Sequence, residues 1–82
     1  MWYIYIVECV DGSLYTGITT DLERRIYEHN NSVKGAKYTR NKRPVTLVYS
    51  TEMFNRSDAS KMEIKIKKLS RSDKLKLIKN AN

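Results

Sequence analysis

Residues 2–9, Trp-Tyr-Ile-Tyr-Ile-Val-Glu-Cys, constrain this chain more than any other segment, because apolar side chains occupy odd and even positions alike. A strand sends successive side chains to opposite faces, so such a run needs cover on both. It predicts a strand packed between two layers that the remaining residues must supply. Asp11-Gly12 follows as a turn signal, and Leu14 to Thr19 reads as the returning strand of a hairpin.

Further along, Thr20-Asp21-Leu22-Glu23 has the form of a capping box and starts a helix. At ~100° per residue Leu22, Ile26, His29 and Val33 share one stripe of that helix. Arg24 points away from it and Arg25 borders it, so Arg24 should be solvated while Arg25 meets whatever the helix packs on. Asn30-Asn31-Ser32 weakens the helix and Gly35 can end it. Val45 to Met53 reads as a third strand, with Val45, Leu47 and Tyr49 on one face and Thr46, Val48 and Ser50 on the other. Asn55 or Ser57 can cap a second helix whose core stripe is Ala59, Met62, Ile66 and Leu69, flanked by Glu63. Ser70-Arg71-Ser72-Asp73 resembles another cap, and a tail helix to about Lys79 would turn Leu75 and Ile78 inward. The order ββαβαα describes an α+β fold, a three-stranded, mainly antiparallel sheet flanked by helices. Eighty-two residues leave room for one domain, 1–82.

Charge narrows the function. The chain carries 16 Lys+Arg against 9 Asp+Glu for a net charge of +7, and all four charges in its first 23 residues are acidic. The basic remainder most often meets a polyanion. Within it the loop 34–44 holds Lys34, Lys37, Arg40, Lys42 and Arg43 with Tyr38 in their midst and no acid, which suits phosphate binding beside a stacking platform. A membrane surface is the weaker alternative, since the apolar positions of the basic run 61–79 are needed by a small core. No stretch approaches the ~20 apolar residues of a membrane span, and the N-terminus lacks the features of a signal peptide. A cytoplasmic protein is expected. Cys9, the only cysteine, is read as a small apolar filler in a strand.

One His and one Cys make a conventional nucleophile triad an unsuitable reading, and no Gly-rich phosphate loop is present. What remains is Tyr3, Tyr5 and Tyr15 on the hairpin, Arg25 and His29 on the first helix, and Glu63 on the second. Phosphodiester hydrolysis needs a base for water, a cation for developing charge and usually a carboxylate-held metal, and this set can supply all three.

Tyr3-Ile4-Tyr5, then Tyr15-Thr16-Gly17 ten residues on, Arg25 after ten more, His29 four later and a helical Glu63 together resemble the GIY-YIG nuclease superfamily. The run Tyr15 to Asn30 and the segment Ser70-Arg71-Ser72-Asp73-Lys74 look like its small single-domain bacterial family related to structure-specific endonuclease subunits. The resemblance implies a metal-dependent endonuclease acting on DNA, with branched or nicked DNA of repair or recombination as candidate substrates. It implies that Tyr5 or Tyr15 positions and helps deprotonate the attacking water, and that His29 orients a tyrosine or shuttles a proton. Arg25 would stabilise phosphate charge and Glu63 would hold Mg²⁺ or Mn²⁺. A protein partner for substrate targeting is a further expectation. Ile18 stands where a lysine often follows the second motif, and Leu75 and Ile78 occupy the region where an asparagine is usual. Those departures favour the alternative, a non-catalytic nucleic-acid-binding domain that keeps the fold. A shared Tyr5/Tyr15 site also demands a particular hairpin. A two-residue Asp11-Gly12 loop would put the two tyrosines on opposite faces, so a bulge or a three-residue loop through Ser13 is expected.

Overall fold

Strand β1 (Trp2–Glu8) occupies the centre of a three-stranded sheet in the computed structural model, which describes residues 1–32 and 34–81. Val33, expected in the core stripe, and Asn82 lie outside the described residues. Strand β2 (Leu14–Thr19) and β3 (Thr46–Met53) flank β1, both antiparallel to it, in the order β2-β1-β3. Helix α1 (Leu22–Asn31) connects β2 to β3, and α2 (Arg56–Lys67) and α3 (Arg71–Ala81) follow β3, completing the order ββαβαα of an α+β fold.

The double-sided run at the N-terminus explains this layering. Ile4, Tyr5, Ile6 and Val7 are all buried. Tyr5, Val7 and Cys9 join Val45 in a cluster covered by Tyr15 and by Leu22 and Ile26 of α1. Ile4 and Ile6 face the other way onto Ile66, with Met62, Leu77 and Ile78 packed beside them from α2 and α3. Each fully buried isoleucine contributes roughly 1.5–3 kcal/mol, so the central strand anchors both layers. Cys9 serves as the small apolar filler expected of it.

The hairpin has the odd-numbered loop that a shared tyrosine site requires, though placed one residue earlier than expected. Cys9 pairs with Ser13 across Val10-Asp11-Gly12, the Gly12 N–H donating to the Cys9 carbonyl. Gly12 takes φ +86°, a conformation that costs other residues energy. Asp11 accepts from the backbone and hydroxyl of Ser13 and braces the turn. The resulting register pairs Tyr5 with Gly17 and Val7 with Tyr15, so Tyr5 and Tyr15 share a face.

Three local expectations are corrected. Asp21, not Thr20, caps α1, its carboxylate accepting from the Arg24 N–H, because β2 continues to Thr19 and that hydroxyl already receives the Asp21 N–H. Strand β3 does not alternate simply from end to end. A bulge between its pairings with Ile6 and Val7 makes Val48 an extra residue, which sends Leu47 to the α1 face and Tyr49 to the opposite one. In α3, Leu77 joins Ile78 in the core while Leu75 is 41% exposed, and Leu69 at the end of the second stripe is 37% exposed. Of the two candidate caps of α2, Asn55 takes the role, accepting from the Asp58 N–H, and Ser70 caps α3 through the Asp73 N–H.

Candidate active site

The face of the sheet under α1 carries a chain of three buried polar side chains. The Tyr5 hydroxyl lies 2.8 Å from His29 Nε2, and His29 Nδ1 lies 2.9 Å from Thr39 Oγ1. His29 is fully buried and Thr39 likewise. The direction of each bond follows from a count of protons. Thr39 has one hydroxyl hydrogen, and it is donated to the Ala36 carbonyl at 3.0 Å. Thr39 must therefore accept from His29, which makes Nδ1 the protonated nitrogen. Burial, and after it the positive charge of Arg25 and Arg43, hold His29 down to about pKa 4, so the ring is neutral at pH 7 and Nε2 is a bare acceptor. Tyr5 thus donates to His29. Burial raises the Tyr5 phenol to about 12, partly offset by the Arg25 guanidinium beside it, so Tyr5 rests as a phenol.

Local sequence explains how these groups meet. Tyr5 lies across from Gly17, where a Cβ would sit only 2.6 Å from its hydroxyl and 2.8 Å from the attached ring carbon. The glycine of the second motif is thus the space that the tyrosine of the first one fills. His29 faces the sheet one turn beyond Arg25, as the helical stripe required. The loop behind it is tied to the helix end: Arg43 donates to the carbonyls of His29, Ser32 and Glu28, and Gly35 passes so close that a Cβ there would meet the Glu28 carbonyl at 2.6 Å. Asn30 completes the junction, exchanging two hydrogen bonds with the backbone of Val45.

Arg25 and Arg24 separate as their helical angles dictate. The Arg24 side chain is 55% exposed, against 22% for Arg25. Through one nitrogen Arg25 holds Glu28 at 3.0 Å and the Lys34 carbonyl at 2.8 Å, and it lies beside Tyr5. Desolvation works against its charge, but the bonds to Tyr5 and Glu28 outweigh it. Tyr15 packs edge-on to the His29 ring at 5.3 Å and stacks on Tyr38 at 5.9 Å. Tyr5, Tyr15, Arg25 and His29 are therefore one cluster. Glu63 approaches from α2, half-buried and paired with Lys67 at 3.3 Å, close enough for its charge to act on the Tyr5 hydroxyl. Tyr3 is half-buried on the same face of β1 as Tyr5.

The basic loop divides its labour. Lys34, Lys37 and Arg40 are exposed, as a phosphate-binding role requires. Lys42 sits over the Tyr38 ring at 3.8 Å and pairs with Asp11 at 3.6 Å. Tyr38 is consequently engaged by both Tyr15 and Lys42, and is a weaker stacking platform than its 47% exposure suggests. Hydrogen bonding with Ser13, then Lys42, lowers its phenol. Arg43, grouped with the phosphate-binding residues on sequence, instead spends its guanidinium on the last carbonyls of α1. Thr39 is the member of this hydrogen-bonded chain that the sequence reading passed over. Its only signal was a short hydroxyl side chain in a loop of long bases.

Among the described residues no group of three or more His, Cys, Asp or Glu side chains is assembled for a metal. A lone carboxylate does suit Mg²⁺ or Mn²⁺, hard cations that bind one or two protein oxygens and complete their shells with water and substrate phosphate. Among the described residues no helix is long and apolar enough to cross a membrane.

The model of the GIY-YIG catalytic domain matches residues 1–76. The UPF0213 protein DP2720 of Desulfotalea psychrophila is 59% identical over 78 residues, covering 95% of this chain and 71% of that protein. The UPF0213 protein SSP2268 of Staphylococcus saprophyticus is 58% identical over 76 residues, covering 93% and 92%. Among solved structures, the solution structure of the UPF0213 protein BH0048 from Bacillus halodurans superposes with a TM-score of 0.61 at 48% identity, covering 96% of this chain and 84% of that one. The solution structure of EF2693 from E. faecalis gives a TM-score of 0.65 at 46% identity, covering 95% and 82%.

Proposed function

The chain belongs to the GIY-YIG catalytic-domain family and, within it, to the UPF0213 proteins, and we propose that it is an endonuclease that hydrolyses DNA phosphodiester bonds with a divalent metal. The hydrogen-bonded chain Tyr5–His29–Thr39 beside Arg25 carries this reading. It is a proton path with a defined direction, starting beside a cation suited to a phosphate.

Magnitudes decide how the path works. Ionising Tyr5 at about 12 to protonate His29 at about 4 would cost roughly 11 kcal/mol, at ~1.36 kcal/mol per pKa unit, so a free phenolate is not on the route. In a concerted transfer Tyr5 accepts the proton of the attacking water as it passes its own to His29 Nε2, and never carries charge. Thr39 keeps Nε2 the accepting nitrogen by holding the proton on Nδ1. The basicity of His29 then controls the step, and burial, with a further contribution from Arg25 and Arg43, suppresses it in the free protein. A phosphate drawn to Arg25 would offset the part of that shift due to the arginine charge and so raise the basicity of His29, while the part due to burial remains. Tyr15 fixes the His29 ring and faces the substrate. Glu63 would hold Mg²⁺ or Mn²⁺, which when bound supplies neutralisation of phosphate and leaving-group charge.

Nicked or branched DNA of repair and recombination is the proposed substrate, a cytoplasmic location goes with it, and a protein partner selects the site. Cleavage of duplex, nicked and branched DNA with Mg²⁺ or Mn²⁺ tests the reading. Arg25→Ala and Glu63→Gln should each lower the rate at least ~100-fold, the scale expected when a group stabilising transition-state charge is removed. Cleavage that survives both substitutions refutes it. Salt-dependent binding without cleavage would favour the non-catalytic binder instead. Ile18 is consistent with that alternative, since it packs against the Ile4–Ile6–Ile66 cluster and brings no polar group to the site.

A further inference from the structure

The start of α3 faces the hairpin turn, and a cleft of about 190 Å³ lies between them, lined by Ser13, Leu14, Tyr38, Arg71 and Lys74. The core accounts for Leu77 and Ile78 of this helix, but not for Arg71 and Lys74. These two are one helical turn apart and so share a face. The Arg71 guanidinium reaches the turn itself, where a Cβ on Gly12 would lie 4.0 Å from Nη2. Several bases near the site have carboxylate partners: Arg24 and Arg25 have Glu28, Lys42 has Asp11, Lys67 has Glu63. Among the described residues no carboxylate lies within ion-pair distance of Arg71 or Lys74. Asp11, the acid of the adjoining turn, is occupied by Ser13 and Lys42.

We propose that this cleft is a second phosphate subsite, which takes a backbone phosphate of the nucleic-acid strand beside the one being cleaved. The inference rests on the nuclease reading for the identity of the strand. Two cations converging on a small cleft without an acid repel each other until an anion lies between them. Arginine's planar fork and lysine's mobile ammonium suit a phosphate. The cleft is also continuous with the catalytic face. Tyr38 forms its wall, stacks on Tyr15, and Tyr15 packs on His29. A strand crossing Tyr15 and Tyr38 arrives at Arg71 and Lys74. Substrate recognition thus extends beyond the scissile group to a flanking phosphate, and the Ser70–Lys74 segment acquires a role besides capping.

Anisotropy titrations of a fluorescein-labelled nicked duplex between 0.1 and 0.6 M salt test this with Arg71→Gln/Lys74→Gln beside Lys61→Gln/Lys65→Gln. The second pair removes the same charge from the exposed side of α2. Each phosphate contact contributes about 0.9 to the slope of log affinity against log salt, so losing the one phosphate held by the cleft pair should flatten the slope by about 0.9, and the α2 pair should leave it nearly unchanged. Equal effects of the two pairs would reduce the cleft to net charge and overturn it, as would an unchanged slope in the cleft pair. The outcome is separable from the nuclease reading. Cleavage by a parent whose slope ignores Arg71 and Lys74 sinks the subsite alone. A flattened slope in a protein that never cleaves sinks the enzyme alone.

Discussion

Lowering the pH from 7 to 5 should destabilise this protein through one residue, His29. In the unfolded chain its imidazole titrates near 6.5, whereas in the fold, buried beside Arg25 and Arg43, it resists protonation to about 4. Below pH 6.5 the unfolded state binds a proton that the folded state refuses, so stability falls as pH falls. Integrating between those two pKa values gives a loss of about 2 kcal/mol at pH 5 relative to pH 7, rising to roughly 3 kcal/mol once pH passes below 4. Asp11, whose carboxyl is lowered chiefly by its bonds to Ser13, titrates below this window and does not blur it. Urea unfolding at pH 7, 6 and 5 reads the effect. With a slope of ~1–2 kcal/mol per molar urea, the midpoint should drop by about 1–2 M. His29→Gln will be less stable at pH 7 but should lose almost nothing further on acidification. Nitrogen-15 shifts of the His29 ring give an independent reading, with the proton on Nδ1 and a folded pKa well under 6. A folded pKa near 6.5, or a proton resting on Nε2, would refute both the stability argument and the direction assigned to the proton path.

Thr39→Val should cost about 1–3 kcal/mol by stranding the buried His29 Nδ1, and Thr39→Ser should recover most of that together with the Nδ1–H tautomer. A merely steric role would let valine substitute better than serine. Arg43→Ala, by unpairing the carbonyls of His29, Ser32 and Glu28, should lower stability by about 2–3 kcal/mol while leaving the salt slope of DNA binding unchanged. Thr16→Val should instead stabilise, by about 1 kcal/mol in thermal or urea unfolding, because the Thr16 hydroxyl is buried and has no hydrogen-bond partner among the described residues.

What could be read in the sequence was whatever depends on periodicity. The apolar run at both parities dictated a central strand, and the angular difference between neighbouring arginines placed Arg25, not Arg24, at the site. Requiring Tyr5 and Tyr15 on one face even anticipated an odd-numbered hairpin loop, since parity alone decides facing. The residues that escaped are those set by backbone irregularity or by contacts across a loop. One inserted residue at Val48 reversed the relation of Leu47 to Tyr49, and nothing in the alternating run Val45 to Met53 marks where a bulge falls. Thr39 meets His29 ten residues away because the loop folds back over α1, and a threonine in such a loop carries no periodic signature.

The basic loop shows why net charge overstates affinity. Its five bases looked equivalent on sequence, yet Arg43 is spent on folding and Lys42 is paired with Asp11 and covers Tyr38. Lys34 is divided, its carbonyl accepting from Arg25 while its side chain is exposed. The inward members position the proton path, because Arg43 fixes the end of the helix that carries His29 and also depresses that histidine's basicity. If the proposed reaction holds, a loop that both builds the site and restrains its base couples catalysis to occupancy. In the proposed reaction an incoming phosphate would relieve the share of this depression that Arg25 and Arg43 add to burial. The proposed path is therefore less basic when empty than when a strand is bound, which would favour hydrolysis of engaged substrate.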